Sequence, residues 1–370
     1  MDNRFKIIGL LVCIGLGGSF TRPDATQWGF FGHRLINKVA VFTLPVEMLA
    51  FYKSQISYVE KHAVDPDKRR YTVKTEGIKH FIDLDIKGQQ KEVNLSRDLE
   101  SAIFDHATIT GIRNRDTVVH TDLSSWSAMD SLSVKRRQIE NVIKANLNDI
   151  LYGKKLELRS PNDTLFYDHE DSLTSLEIED RFTNNGILPY HMETLHKRLE
   201  WAFATLDSEK ILRFSTDLGH YIADAHVPLH TTVNYDGQLT GQQGIHAFWE
   251  TRIPELYAIS DFDLLVGKAN YVSDIREFYW SMVLESHELV DEVFETEKRV
   301  RISIPPDMRY CFTERNGVTT RLECREWAAA YKKELEGMVE RQMQKSIKAI
   351  GDAWFTAWVD AGRPPLIPTK

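Results

Sequence analysis

Cysteine is scarce in this chain: three occur in 370 residues, at positions 13, 311 and 324. With Cys13 set aside in the amino-terminal segment, a single disulfide is the most the chain can form. A basic stripe is also missing. The formal net charge is −8, which excludes binding of duplex nucleic acid by charge alone. An excess of carboxylates suits a chain that recruits divalent cations instead. There is no internal repeat and no low-complexity linker. The most apolar run, IIGLLVCIGLGG, is too short to span a bilayer.

What is present begins with an export signal. Arg4 and Lys6 give a positive start, the apolar run follows, and the polar stretch SFTRPDATQ comes next. Ala25 suits position −3 of a cleavage that removes residues 1–27 and makes Trp28 the new amino terminus. A membrane anchor is the alternative reading. Val12 before Cys13 does not fit a lipoprotein signal. In an oxidising compartment Cys311 and Cys324, in CFTERNGVTTRLEC, are expected to close a small hairpin as a disulfide; two free buried thiols are the alternative.

Apolar residues recur at helical spacing over most of the chain, clearest over 34–54, 136–152, 190–205, 208–226, 273–297 and 326–359. Asp207 or Ser208 can cap the fourth of these, and Pro228 ends it. Strand signals are few and short: 71–73 and the Cys311–Cys324 hairpin. Residues 87–186 are the most polar and irregular part. These features predict one mostly helical, all-α domain over 28–370 with an irregular insertion at 87–186.

The stretch HYIADAHVPLH carries three histidines and an aspartate. His220 and Asp224 are four apart on the predicted helix, so they share a face and can reach one cation. His230 follows the proline. Downstream, GIHAFWE repeats the spacing with His246 and Glu250. One such pair is common on solvated helices; two pairs bracketing His230 point to metal. Upstream, HAVDPDKRRY and IKHFIDLD supply Asp65 and His80. In WGFFGH, a free amine on Trp28 would titrate at about 7.7–8.0, so amine and carbonyl can chelate a metal that His33 also binds.

Together, WGFFGH, DPDK, HFID, GHYIADAHVPLH and HAFWE resemble the superfamily of zinc-dependent phospholipases C and single-strand-specific zinc nucleases. The resemblance runs from Trp28 to about residue 256, interrupted by the insertion. It implies an all-α secreted enzyme holding three zinc ions. Asp65, His80, His220 and Asp224 would hold one zinc. Asp224 would bridge to a second, bound by the Trp28 amine and carbonyl and by His33. His230, His246 and Glu250 would hold the third. Nitrogen and oxygen ligands fit zinc.

Glu250 and the short connection TTVNYDGQLTGQQGI resemble the phospholipases. The Trp28–His33 spacing, Lys68 as a cation facing the phosphate, Phe81 as a base-stacking residue and Asp83 as a group orienting water or base resemble the nucleases. The expected substrate is therefore a phosphate ester: single-stranded nucleic acid or a nucleotide, with phospholipid as the alternative. A zinc-activated water would attack phosphorus, with Lys68 stabilising charge and Asp83 orienting. A monomer with no membrane span is expected. A secreted, non-catalytic, zinc-stabilised binding protein is the competing class. His226 points off the His220/Asp224 face and is expected to pack. The remaining histidines show no ligand spacing, and Trp354, Phe355 and Trp358 are expected in the core.

Overall fold

The computed structural model describes residues 26–85, 95–113, 117–122, 136–159, 175–315 and 317–367. The expected export signal, apart from Thr26 and Gln27, lies outside them. The chain is mostly helical. Helices α1 (Thr26–Ala40), α2 (Val46–Ser54), α3 (Ile56–His62) and α4 (Asp65–Arg69) open it. The insertion carries α5 (Leu99–His106), β1 (Thr108–Arg113), β2 (Thr117–Asp122), α6 (Arg136–Ala145), α7 (Leu147–Leu151), β3 (Leu156–Arg159) and β4 (Ser175–Glu179). Then come α8 (Leu188–Ala204), α9 (Ser208–Ala225), α10 (Ile245–Ala247), a π-helical turn (Phe248–Arg252) and α11 (Ile253–Tyr257). The chain closes with α12 (Ile275–His287), α13 (Val290–Ser303), β5 (Tyr310–Arg315), β6 (Val318–Glu323), α14 (Arg325–Glu334) and α15 (Met338–Asp360).

Several long periodic stretches are each two helices, for local reasons. Leu44, extended ahead of Pro45, separates α1 from α2. Gly337, at φ 80°, separates α14 from α15 in a conformation that glycine adopts freely. The cap of α9 forms as expected: the Asp207 carboxylate accepts from the Lys210 amide at 3.1 Å. Residues 71–73 form turns, not the expected strand, because they close the segment between α4 and the turn at 77–79.

Helices α8 and α9 pack side by side, α15 lies against both, and α1 contacts α9 and α15. Helix α1 approaches α9 tightly at Gly219, where a Cβ would stand 2.1 Å from the Asn37 side-chain oxygen. Trp354 fills the centre of this bundle, stacked on Tyr52 at 5.0 Å and donating from its indole nitrogen to the Ser215 carbonyl. Trp358 is buried with it and Phe355 half-buried. The insertion is more regular than its composition predicts. Its strands form a four-stranded antiparallel sheet in the order β2-β1-β4-β3, where Ile109 pairs with Ile178 and Ile178 with Leu156, all three buried. Strands β5 and β6 pair as the expected hairpin, closed by a Cys311–Cys324 disulfide.

Candidate metal centre

Helix α9 carries the centre. From Ser215 to Ala225 it is buried on every side, so His220 and Asp224 project into the interior, not into solvent. Helix α1 brings His33 to them. Gly29 and Gly32, on the same face as His33, keep α1 close to the π-helical turn; a Cβ on Gly29 would stand 3.3 Å from Glu250 Oε1. His80 and His230 are fixed together by backbone bonds. The Ile82 amide donates to the His230 carbonyl at 2.9 Å and the Leu84 amide to the Thr231 carbonyl at 3.0 Å. Val227, extended before Pro228, turns the chain from α9 into the 3-10 turn that holds His230. Glu250 comes from the π-helical turn, a geometry frequent at functional sites.

Donor atoms converge in three adjoining sets. In the first, His80 Nδ1 stands 2.9 Å from Asp224 Oδ2 and 3.1 Å from His220 Nε2. His220 Nε2 is 3.4 Å from Asp224 Oδ2, and Asp67 Oδ1 is 3.9 Å from both imidazole nitrogens. A tetrahedral site with bonds of about 2.0–2.1 Å has donor–donor edges of roughly 3.3–3.4 Å, in the middle of this range. In the second set His33 Nε2 lies 3.3 Å from Asp224 Oδ1 and 3.5 Å from Glu250 Oε1. In the third, Glu250 Oε2 lies 2.8 Å from His246 Nε2 and 3.5 Å from His230 Nε2. Asp224 therefore turns one oxygen to each of the first two sets, and Glu250 one to each of the last two. His80, His220 and Asp224 bring ligand atoms within 4.8 Å of one another, as do His33, Asp224 and Glu250, and His230, His246 and Glu250. His33, Asp67 and His220 do the same, and each group is close enough to hold a metal ion.

The imidazoles are pre-set for this. His220 Nδ1 donates to the Ala63 carbonyl at 2.8 Å, His230 Nδ1 to the His80 carbonyl at 2.6 Å, and His246 Nδ1 to the Tyr235 carbonyl at 3.1 Å. Each bond leaves Nε2 free to face the cluster, the usual way a protein orients a metal-binding histidine. Among the described residues His230 Nε2 is buried and has no close hydrogen-bond partner, the Glu250 carboxylate standing 3.5 Å away, which is costly unless something else engages it. The donor set and this orphaned nitrogen fit a metal.

Electrostatics agree. Burial works against charge on His220, yet Asp224 and Asp67 push it up to about 9. Burial likewise opposes ionised Asp224 and Glu250. His220 and His230 hold Asp224 well below the carboxylate range, and His230, His246 and His33 do the same for Glu250.

The structure brings together His33, His80, His220, Asp224, His230, His246 and Glu250. Asp65 is not with them. It is the first residue of α4, and its carboxylate is bonded to His62 at 2.5 Å and to Lys68 at 2.8 Å. Residues two apart on a helix point about 200° apart, so Asp67, not Asp65, faces the cluster. The same shift of two moves the cation: Lys68 points away with Asp65, while Arg70 lines the cavity, its Nη1 3.7 Å from Asp67 Oδ1. Trp28 lies in the first turn of α1, and its side chain is outside the described residues.

A cavity of about 690 Å³ opens over the cluster. Phe81, Asp83, Asn184, Tyr235, Asp236 and Gln238 line it beside Arg70. Burial and the neighbouring Asp85 push the Asp83 carboxyl up to about 7, with His230 pulling the other way. His226 is buried outside the ligand sets, its Nδ1 bonded to the Ile222 carbonyl at 2.7 Å. Among the described residues none of the other histidines joins a ligand group. Asp67, Arg70 and Tyr235 escaped sequence reasoning; only the doubled aspartate of DPD hinted at the first. Fold and site thus define a mostly helical protein with a buried histidine–carboxylate centre able to hold metal ions. No family model, curated protein or solved structure matches the chain.

Proposed function

We propose that the chain is an exported phosphoester hydrolase working with three zinc ions, of the zinc-dependent phospholipase C and single-strand-specific nuclease type, and that it cleaves phosphodiesters in single-stranded nucleic acid or nucleotides. The observation that carries this reading is the donor spacing, with Asp224 and Glu250 each turned towards two sets. Asp67, His80, His220 and Asp224 would hold one ion, and His230, His246 and Glu250 another. His33 and Asp224 would hold the third with the Trp28 amine and carbonyl, since cleavage before Trp28 frees an amine beside Gly29 at the cavity wall. Bound zinc supplies Lewis acidity and lowers the pKa of a water towards about 7.

The protein's own groups do the rest. Arg70 offers the cavity a guanidinium that can pair with phosphate oxygens. Asp83, titrating at about 7, can hold or release a proton near neutral pH. Phe81 and Tyr235 present aromatic faces, and Asn184, Asp236 and Gln238 present hydrogen-bonding groups, a combination that suits a nucleobase. One observation favours phospholipid instead: Val233, at the cavity, and Leu239 nearby are exposed apolar residues on the loop beside the mouth.

The test assays protein beginning at Trp28, zinc-loaded and after chelation, on single-stranded DNA, RNA, a 3′-nucleotide, phosphatidylcholine and a synthetic phosphodiester. Chelator-sensitive turnover of the nucleic-acid substrates is expected. Turnover of phosphatidylcholine alone selects the phospholipase reading. Zinc binding with no turnover of any substrate leaves the zinc-stabilised binding protein.

A further inference from the structure

The segments that carry Asp67 and His80 share a second feature. Each is tied to α9 by one buried ion network beside the donor atoms. Arg69, two residues after Asp67, places its guanidinium across the Asp217 carboxylate, with Nη1 3.1 Å from Oδ1 and Nη2 3.0 Å from Oδ2. Its Nε donates to Glu76 Oε1 at 3.0 Å. Glu76, four residues before His80, accepts the Tyr221 hydroxyl at 2.6 Å and Lys79 at 2.7 Å. Glu76 and Asp217 are almost wholly buried, at 1% and 5% exposure. Two cations face two carboxylates, so the network closes electrically on itself.

Its placement sets it apart from an ordinary buried ion pair. Asp217, His220, Tyr221 and Asp224 run along one stripe of α9. The network residues alternate there with the metal-binding candidates. The ion-pair partners of the Asp67 carboxylate stand at 3.7–3.9 Å, so short contacts of its own do not fix it. The backbone of α4 does, and α4 is only five residues long. The fork that anchors its last residue to α9 is Arg69.

We propose that Arg69 is a positioning residue for the first donor set: through Asp217 and Glu76 it locks the chain between Asp67 and His80 to the helix bearing His220 and Asp224. This rests on the zinc reading of that set. Losing the fork lets Asp67 drift from α9 and loosens the chain leading to His80, which then keeps only its backbone bonds to the His230 segment, while His246 and Glu250, held by other elements, keep their spacing.

The test uses protein beginning at Trp28 and reads zinc retained after dialysis, zinc affinity by chelator competition, and Tm with and without zinc. In Arg69→Gln one zinc equivalent is expected to bind roughly 10–100-fold more weakly, the loss typical of partners behind metal ligands. The zinc-induced rise in Tm should shrink. Arg69→Lys, which keeps the charge but not the fork, should recover part of both. Arg276→Gln is the control, because Arg276 makes a comparable fork to Glu193 away from the centre. It should lower Tm equally with and without zinc and leave zinc content unchanged. Should Arg69→Gln fail to fold, Tyr221→Phe removes only the hydroxyl that Glu76 accepts and should weaken the same equivalent by a smaller factor. Wild-type zinc affinity in whichever of these two variants folds would overturn the proposal. A wild-type protein that holds no zinc would instead overturn the zinc reading beneath it.

Discussion

Asp65 and Asp67 are chemically identical and two positions apart, and α4 gives them opposite duties. Asp65 opens the helix and is bonded to His62 and Lys68; Asp67 turns inward to His80 and His220. Asp67→Ala should therefore cost more zinc affinity than the roughly 10–100-fold expected of residues behind the ligands, with turnover falling in step. Asp65→Asn should leave zinc content unchanged and alter turnover by less than a few-fold. Equal losses in the two variants, measured by metal analysis and phosphodiester hydrolysis, would reverse the assignment. The same comparison extends to the cations: Arg70→Ala is expected to raise KM or lower kcat for the phosphodiester, and Lys68→Ala to do neither. The sequence points to Asp65 with Lys68, yet DPDKRR offers a second aspartate–cation pair three apart, Asp67 with Arg70. Only the direction in which a five-residue helix meets α9 selects between them.

At the scale of elements, His220 and Asp224 were legible because a four-residue spacing on a long amphipathic helix fixes a shared face whatever surrounds it. Glu250 was legible for the same reason, but its second role was not. Facing His33 depends on a π-helical turn and on how closely α1 approaches it, and neither leaves a periodic signal. The periodicity over 34–54 and 326–359 hid the breaks at Pro45 and Gly337, although residue type marks both; the sheet in the insertion left no such mark, since its pairing is long-range and many of its positions are polar. The α1–α9 contact is testable. Gly219→Ala puts a methyl 2.1 Å from the Asn37 oxygen, and Asn37 is itself buried and bonded to the His33 carbonyl. Relief requires the buried Asn37 side chain to give up its place, or α1 to move with it, at a cost of about 1–3 kcal/mol. Thermal unfolding of metal-free protein should show that loss, and zinc held through His33 should weaken as well. An unchanged Tm would mean that the two helices part without penalty.

Across the whole molecule, the centre gathers α1, α4, the His80 segment, α9, the turn bearing His230 and the π-helical turn around one buried cluster, so protons and a bound metal would compete for the same groups. Without metal, His220 titrates at about 9 when folded, against about 6.5 unfolded. Its folded-state proton stabilises the protein fully below pH 6.5, and that contribution is lost as pH rises towards 9. His230, also raised, acts in the same direction. Each such proton changes stability by about 1.4 kcal/mol per pH unit within its window. Zinc needs the imidazoles neutral, so binding expels these protons and tightens as pH rises. The metal-free protein should thus lose stability from pH 6.5 to 8.5 while the zinc-loaded protein keeps it, and the gap between their Tm values should widen across that interval. Calorimetry in buffers of different ionisation enthalpy should record proton release on zinc binding, greatest at the acid end. A gap that stays constant or narrows with pH would show that the histidines of the centre are already neutral before metal arrives, and that Asp67 and Asp224 do not hold a proton on His220.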